Sequence, residues 1–422
     1  MFLFYRFITT VLYPVFILII YLRVLFGKEN IESFKEKVFS SKKKRFESEK
    51  KIIWFHGASI GEIQSIIPIV NHLIKNNSEI RILITTITLS SGEMILKEFE
   101  SNQNVTHQYC PLDVPYLTTN FLKYWKPSLV VFIDSEIWPN FIFKIKKENI
   151  PLALINGRIT KKTFNKWKFI NNSAKKIFSK FDLCLASSNE SHQHLHNLNA
   201  KNIKFFGNLK FISNVKNNSA LNKSLKNYLN GRKVWCAAST HRQEELLCLE
   251  AHKIIKGTYR DIVTIIIPRH IDRIKEIFNM CKKLQLKTQI ITGDEKISNN
   301  NEVILVNSFG NLEKYYSCCK SVFIGKSLNK KLILVGGQNP LVPARLGCKI
   351  YHGPYVYNFQ EVYSFLKQID IATQIANANE LVEKIINDFK NTNKNTNTNV
   401  EKINSYGKDI LEKTIKELKE LI

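Results

Sequence analysis

The sequence predicts an α/β protein of two doubly wound domains, each a parallel sheet sandwiched between helices. Three observations carry this. The chain has 422 residues, and at about 150 residues per domain that length calls for two cores. Short β-branched runs without polar alternation recur along it, as in strands buried on both faces. Amphipathic stretches separate those runs, and strand–helix alternation builds parallel sheets. With 44% hydrophobic and 23% charged residues, wholesale disorder is excluded.

Residues 1–27 are apolar apart from Arg6, Arg23 and neighbouring polar groups, and residues 7–22 (FITTVLYPVFILIIYL) carry no charge. We read 1–27 as a membrane anchor. The uncharged run falls slightly short of the ~20 residues that cross a bilayer core, and snorkelling arginines extend its reach. No small-residue cleavage site follows it, which disfavours a secretory signal, and Pro14 suits neither a straight span nor a core helix. A basic linker, 28–50, holds Lys28, Lys35, Lys37, Lys42, Lys43, Lys44 and Arg45, whereas only Arg6 precedes the run. That asymmetry places the rest of the chain on the cytoplasmic face, against anionic headgroups. Spanning the bilayer and lying in one leaflet both fit the run.

The first predicted domain, 51–212, has strands at KIIWFH, RILITT, LVVFID, PLALING, LCLASS and IKFFGN, with helices such as 61–75 and 160–180. A linker rich in Asn, Ser and Lys, 213–231, follows. The second domain, 232–388, restarts with KVWCAAS, IVTIIIP, LKTQIIT, EVILVN, SVFIG, KLILVGG and KIYHG. A low-complexity loop and a charged helix occupy 389–422.

Open parallel sheets bind ligands beyond their strand carboxyl ends, and two facing sheets place the ligand in a cleft between them. The informative residues therefore follow strands. After KIIWFH comes GASIGE, where Ser59 and Glu62 fit a capping box, while a carboxylate beside Gly57 and Gly61 also suits a general base. Spacing alone leaves both readings open. Glu136 and Trp138 follow the third strand, where an acid also favours a helix start, and Lys210 follows the sixth. In the second domain Thr240–Gln243 has a capping-box pattern. Pro268, Arg269 and His270 form a basic strand end, Ser308–Asn311 (SFGN) another, and Gly336–Gly347 carries a glycine pair and Asn339.

Several chemistries are disfavoured. There is no G-x-x-x-x-G-K-[ST] loop, no cluster of aspartates for magnesium and no H-E-x-x-H. His192, His194 and His196 disperse around a helix, so a solvated face outweighs a metal site. Eight cysteines without a CxxC argue against zinc or a disulfide framework and for a reducing compartment. The net charge of +26 favours anionic partners.

The ordered set HGASIGE, SEIWPN, NGRIT, GNLKF, AASTH, PRH, SFGN and GGQNPLVPA resembles the 3-deoxy-D-manno-octulosonic acid (Kdo) transferases of lipopolysaccharide synthesis, across about residues 1–370. The resemblance implies a GT-B glycosyltransferase with an inverting, metal-free mechanism and no cofactor. It would move Kdo from CMP-Kdo to the lipid A precursor, lipid IVA, on the cytoplasmic face of the inner membrane. It implies Glu62 as general base, with Glu136 and Lys210 stabilising the transition state. Its CMP contacts map onto Pro268, Arg269, Phe309, Gly310, Asn311, Asn339, Pro340, Leu341 and Val342. At position 342 the family usually has a ribose-binding Glu, which Val342 cannot replace. The donor, the lipid acceptor and the anionic inner-membrane surface are the expected partners.

Three rivals stand beside this reading. One is a GT-B enzyme with another nucleotide sugar or lipid acceptor, and one is a catalytically impaired lipid-binding relative. The third is a basic membrane-tethered nucleic-acid or lipid binder, but the chain lacks basic–aromatic interleaving or a nucleic-acid module, so no nucleic-acid partner is expected.

Overall fold

The structure is a computed structural model describing residues 2–39, 43, 50–213, 223–293, 295–308, 310, 312–391 and 396–422. Phe309 and Asn311, Lys42, Lys44 and Arg45, and residues 214–222 of the proposed linker lie outside the described residues. The chain forms two compact units, Met1–Ser213 with Tyr406–Ile422, and Asn214–Ser405.

The first unit opens with helices α1 (Phe2–Val11), α2 (Tyr13–Leu25) and α3 (Ile31–Phe39). Strands and helices then alternate: β1 (Lys51–His56), α4 (Ile60–Asn76), β2 (Ile80–Thr86), α5 (Leu89–Glu98), β3 (Val105–Tyr109), α6 (Pro115–Trp125), β4 (Leu129–Ile133), α7 (Pro139–Lys147), β5 (Leu152–Gly157), α8 (Lys161–Phe169), α9 (Asn171–Phe178), β6 (Leu183–Ala186), α10 (Asn189–Asn197) and β7 (Ile203–Lys204). All neighbours pair in parallel, in the order β3-β2-β1-β4-β5-β6-β7. β1 and β4 are buried almost throughout, as double-sided helix cover requires. Trp54, Phe121, Trp125, Phe132 and Phe141 fill one face of this core.

The second unit contains α11 (Lys223–Leu229), β8 (Val234–Thr240), α12 (Glu244–Thr258), β9 (Val263–Pro268), α13 (Ile274–Lys283), β10 (Thr288–Ile291), β11 (Val303–Val306), α14 (Glu313–Tyr316), β12 (Ser321–Ile324), α15 (Leu341–Arg345), β13 (Lys349–His352), α16 (Gln360–Gln368), β14 (Ala372–Gln374) and α17 (Ala378–Lys390). Its parallel order is β10-β11-β9-β8-β12-β13-β14. Trp235, Phe323, Ile266 and Leu305 lie in its core.

Three features depart from the sequence pattern. KLILVGG is not a strand: Lys330–Leu332 is a 3-10 turn capped by Asn329, and Ile333, Leu334 and Val335 are exposed. An apolar run needs a free strand edge, and β8 and β13 already occupy both edges of β12. Conversely, β3 is a strand despite its polar sequence VTHQY. Its buried groups find side-chain partners, His107 Nε2 at 2.9 Å from Thr86 Oγ1 and Gln108 Oε1 accepting from Trp125 Nε1 at 2.9 Å. The last helix, α18 (Thr396–Lys419), returns to the first unit. There Tyr406 meets Phe211 edge-on, and Lys204 pairs with Glu417 at 2.6 Å. Gly207, beside Ile410 and Tyr406, adopts φ 125°, a backbone conformation that favours glycine.

The amino-terminal run is not one helix. α1 and α2 are bent by 54°, and no single described helix is long and apolar enough to cross a membrane. Pro14 lacks the N–H that would continue the ladder. Polar side chains dock the pair onto the first unit. Tyr5 donates to Asp113 Oδ2 at 2.9 Å, Asn140 Nδ2 donates to Thr9 Oγ1 at 3.2 Å, and Tyr13 donates to the Val38 carbonyl. The other face exposes Leu3, Phe4, Phe7, Leu18, Leu25 and Phe26.

Candidate active site

In the first unit the sheet order reverses between β1 and β4, and the crevice beyond such a reversal is the expected ligand position. Glu62 and Glu136 follow these two strands. Ser59 caps α4, accepting from the Glu62 N–H at 3.4 Å. The Glu62 carboxylate accepts from the Ala58 N–H at 2.7 Å and the Ser59 hydroxyl at 2.8 Å, so the capping box forms. It does not hide the acid, which is only half-buried. Burial pushes the Glu62 pKa up, and Asp134 and Glu136 add to this against donation by Ala58 and Ser59. Glu62 thus combines a structural contact with raised proton affinity.

Glu136 behaves oppositely. Its Oε2 accepts from Trp138 Nε1 at 2.7 Å and lies 3.3 Å from His56 Nε2. Burial alone would raise its pKa, but His56 and Trp138 outweigh that and hold it below the usual value. His56 Nδ1 lies 2.8 Å from Thr85 Oγ1, which also accepts from Trp54 Nε1 at 2.7 Å. Burial lowers the His56 pKa, but Cys110 and Glu136 outweigh it and raise the value to about 10, so the ring presents an Nε2 proton on the Glu136 side. Two carboxylates with opposite pKa displacements therefore share one strand-end rim, a pattern suited to divided acid–base and electrostatic roles.

Lys210 joins them from the 3-10 turn Leu209–Ile212. The turn is pinned at its start, where Asn156 Oδ1 accepts from the Leu209 N–H and Asn208 Oδ1 from the Lys210 N–H, both at 3.0 Å. Asn156 Nδ2 also donates to Asp134, linking the ends of β4 and β5 to the Lys210 segment. Burial pushes the Lys210 pKa down; Asp134 and Glu62 oppose that, while Arg158 adds to it. Of the three residues expected to be catalytic, Glu62 is thus within electrostatic reach of both Glu136 and Lys210. Asp134, Asn156, Arg158 and His56 are partners the sequence reading did not single out. Asp134 was detectable as the last letter of LVVFID, where it adopts φ 54°.

In the second unit the order reverses between β8 and β12. Thr240–Gln243 does not form the expected capping box: Thr240 ends β8 with a buried hydroxyl, and α12 starts only at Glu244. The buried Glu244 carboxylate binds that rim together. It accepts from the N–H groups of His241 (2.9 Å), Lys326 (2.7 Å), Ser327 (2.8 Å) and Leu328 (3.0 Å). The sequence reading did not single out Glu244. Pro268 is the buried end of β9, and the exposed Arg269 donates its N–H to the Thr240 carbonyl at 3.0 Å. Gly310 is exposed at φ 78°. Asn339 Oδ1 accepts from the Leu341 N–H at 3.0 Å, Pro340 and Leu341 are buried, and Val342 is half-buried. This segment is held close to its neighbours, since a Cβ on Gly336 would fall 2.1 Å from the Tyr355 carbonyl. Among the described residues no group of three or more His, Cys, Asp or Glu is placed to hold a metal.

Comparison with known proteins agrees with these features. The family described as 3-Deoxy-D-manno-octulosonic-acid transferase (kdotransferase) matches residues 32–213. The 3-deoxy-D-manno-octulosonic acid transferase of Rickettsia bellii is 31% identical, covering 90% of this chain and 89% of that protein. That of Haemophilus influenzae is 27% identical over 85% of this chain and 83% of its own. A glycosyltransferase of Rickettsia africae is similar in fold alone, with a TM-score of 0.57 and 13% identity over 89% of this chain and 99% of that one. Two doubly wound parallel units of the GT-B type, and sequence similarity running through both, place this chain in the Kdo transferase family.

Proposed function

We propose that the protein transfers Kdo from CMP-Kdo to the lipid A precursor, with inversion at the anomeric carbon. The observation that carries the reading is the convergence of Glu62, Glu136 and Lys210 at the sheet reversal of the first unit. In this scheme Glu62 takes the proton from the acceptor hydroxyl as it attacks. Departure of CMP leaves cationic character on the sugar, which the ionised Glu136 stabilises. Lys210 and Arg269 meet the charge that builds on the leaving phosphate. A monophosphate carries less charge than a diphosphate, so fixed cations suffice without a metal.

Pro268, Arg269, Phe309–Asn311 and Asn339–Val342 form the CMP-contacting set in this reading. The bent α1–α2 pair, with its exposed apolar face and the basic stretch after it, holds the enzyme on the cytoplasmic face of the inner membrane. The test incubates purified protein with a CMP-Kdo generating system and lipid IVA. The expected product is heavier by one or more Kdo units, and the mass counts them. Competition binding separates the rival donors: CMP should displace a bound donor analogue and UDP should not. Absence of product together with preferential UDP binding would sink the assignment.

A further inference from the structure

We propose that an apolar pocket between α1 and the α7–α9 corner of the first unit holds an acyl chain of the lipid acceptor, an inference that rests on the transferase reading. The pocket has a volume of about 420 Å³, and its walls include Leu3, Phe143, Trp167, Ile170 and Ile177. That volume falls within the usual range of ligand pockets. Phe2 stacks on Phe143 with centroids 3.7 Å apart, which closes one side.

Its surroundings specify an amphiphile. Lys176 lines the pocket, and residues 161–178 hold Lys161, Lys162, Lys166, Lys168, Lys175 and Lys176 without a single acid. At the end of α8, Phe169 is 91% exposed, a ring suited to the headgroup boundary. An apolar slot with Lys176 in its wall, set in so basic a stretch, matches a hydrocarbon chain on a phosphorylated headgroup. The slot continues onto the exposed face of α1 at Leu3, Phe4 and Phe7, which gives a route from the bilayer.

Position selects the acceptor over bulk lipid. Pro139 both lines the pocket and begins α7, three residues after Glu136. Three residues of chain span at most about 10 Å. A chain seated here therefore brings its own headgroup to the rim that carries Glu136, a placement with no use for a structural phospholipid.

The full-length protein in phosphatidylethanolamine–phosphatidylglycerol vesicles provides the test. Two photoreactive probes are compared, lipid IVA and phosphatidylglycerol, each with a diazirine in an acyl chain, and labelled peptides are mapped by mass spectrometry. The acceptor probe should label α1 and residues 161–178, with competition by unlabelled lipid IVA and not by phosphatidylglycerol. Ser173→Trp, which fills the slot, should cut that labelling at least fivefold and raise the acceptor KM about tenfold at unchanged kcat. Should that variant misfold, Ile170→Trp serves in its place. Equal labelling by phosphatidylglycerol, or acceptor labelling elsewhere, overturns the proposal. Labelling needs no turnover, so a protein that transfers nothing yet labels here refutes the transferase reading and spares the site. Transfer without labelling does the reverse.

Discussion

Replacing Glu62 by Gln separates the two roles of this side chain. The amide still offers an oxygen to the Ala58 N–H, now 2.7 Å from Oε2, and Gln is as good as Glu at the third helical position of a capping box. The charge, by contrast, is lost. Because the folded-state pKa of Glu62 is raised, its ionised form costs stability at neutral pH, and the favourable contribution exists only below the unfolded carboxylate pKa. Glu62→Gln should therefore be as stable as wild type, or more so, at pH 7, and lose that advantage in acid. Glu62→Ala removes the acceptor for Ala58 and Ser59 and should cost about 1 kcal/mol relative to Gln. In a unit of this size that corresponds to roughly 2–4 °C in Tm. Catalytically both variants should fall about 100–10,000-fold in kcat, or roughly 3–5 kcal/mol of barrier, the contribution of one general base. The wild-type rate should decline in acid with a midpoint above the ordinary 4.5, and the residual Gln rate should lack that limb. Thermal melts at two pH values and single-turnover transfer measure these effects. A Gln variant within tenfold of wild-type turnover would refute the base assignment, and one as unstable as Ala would refute the separation of roles.

Glu136→Gln should have the opposite stability signature. Its pKa is lowered, so its stabilisation is present above the unfolded pKa and lost as pH falls; the variant should be less stable at pH 7 and equal in acid, with kcat reduced at least tenfold. Glu244→Ala strands four backbone N–H donors and should cost about 3–5 kcal/mol in denaturant unfolding, with CMP binding lost alongside. If the proposed donor placement holds, Val342→Glu, at a half-buried position, supplies a ribose hydrogen-bond partner and should tighten CMP binding about 3–10-fold by calorimetry. Unchanged affinity would mean that this pocket has no use for a carboxylate there.

Much of the fold is legible because buried parallel strands announce themselves. KIIWFH, LVVFID and KVWCAAS are apolar whichever face they present, and each is a central strand. The same logic misreads KLILVGG, whose apolar character signals only that it avoids water, whereas pairing depends on an open edge elsewhere in the sheet. It overlooks VTHQY, because buried His107 and Gln108 depend on Thr86 and Trp125, residues distant in sequence. The shape of the amino terminus lies beyond sequence reading for a similar reason. Hydropathy registers the run, but the break at Pro14 and the anchoring by Asp113 and Asn140 come from backbone geometry and from partners over a hundred residues away.

For the site, chain order alone puts particular residue types at strand ends: Glu62 after β1, Glu136 after β4, Lys210 after β7, Arg269 after β9. Order along the chain is enough for that, since a strand's carboxyl end is defined locally. Their company, in contrast, is a product of the fold. The strand order that sets β1 beside β4, the Asp134–Asn156 link that draws in Lys210, and the His56–Thr85 contact behind Glu136 arise from long-range pairing. Proton affinity follows burial and neighbouring charge, both of which exist only once the sheet has closed.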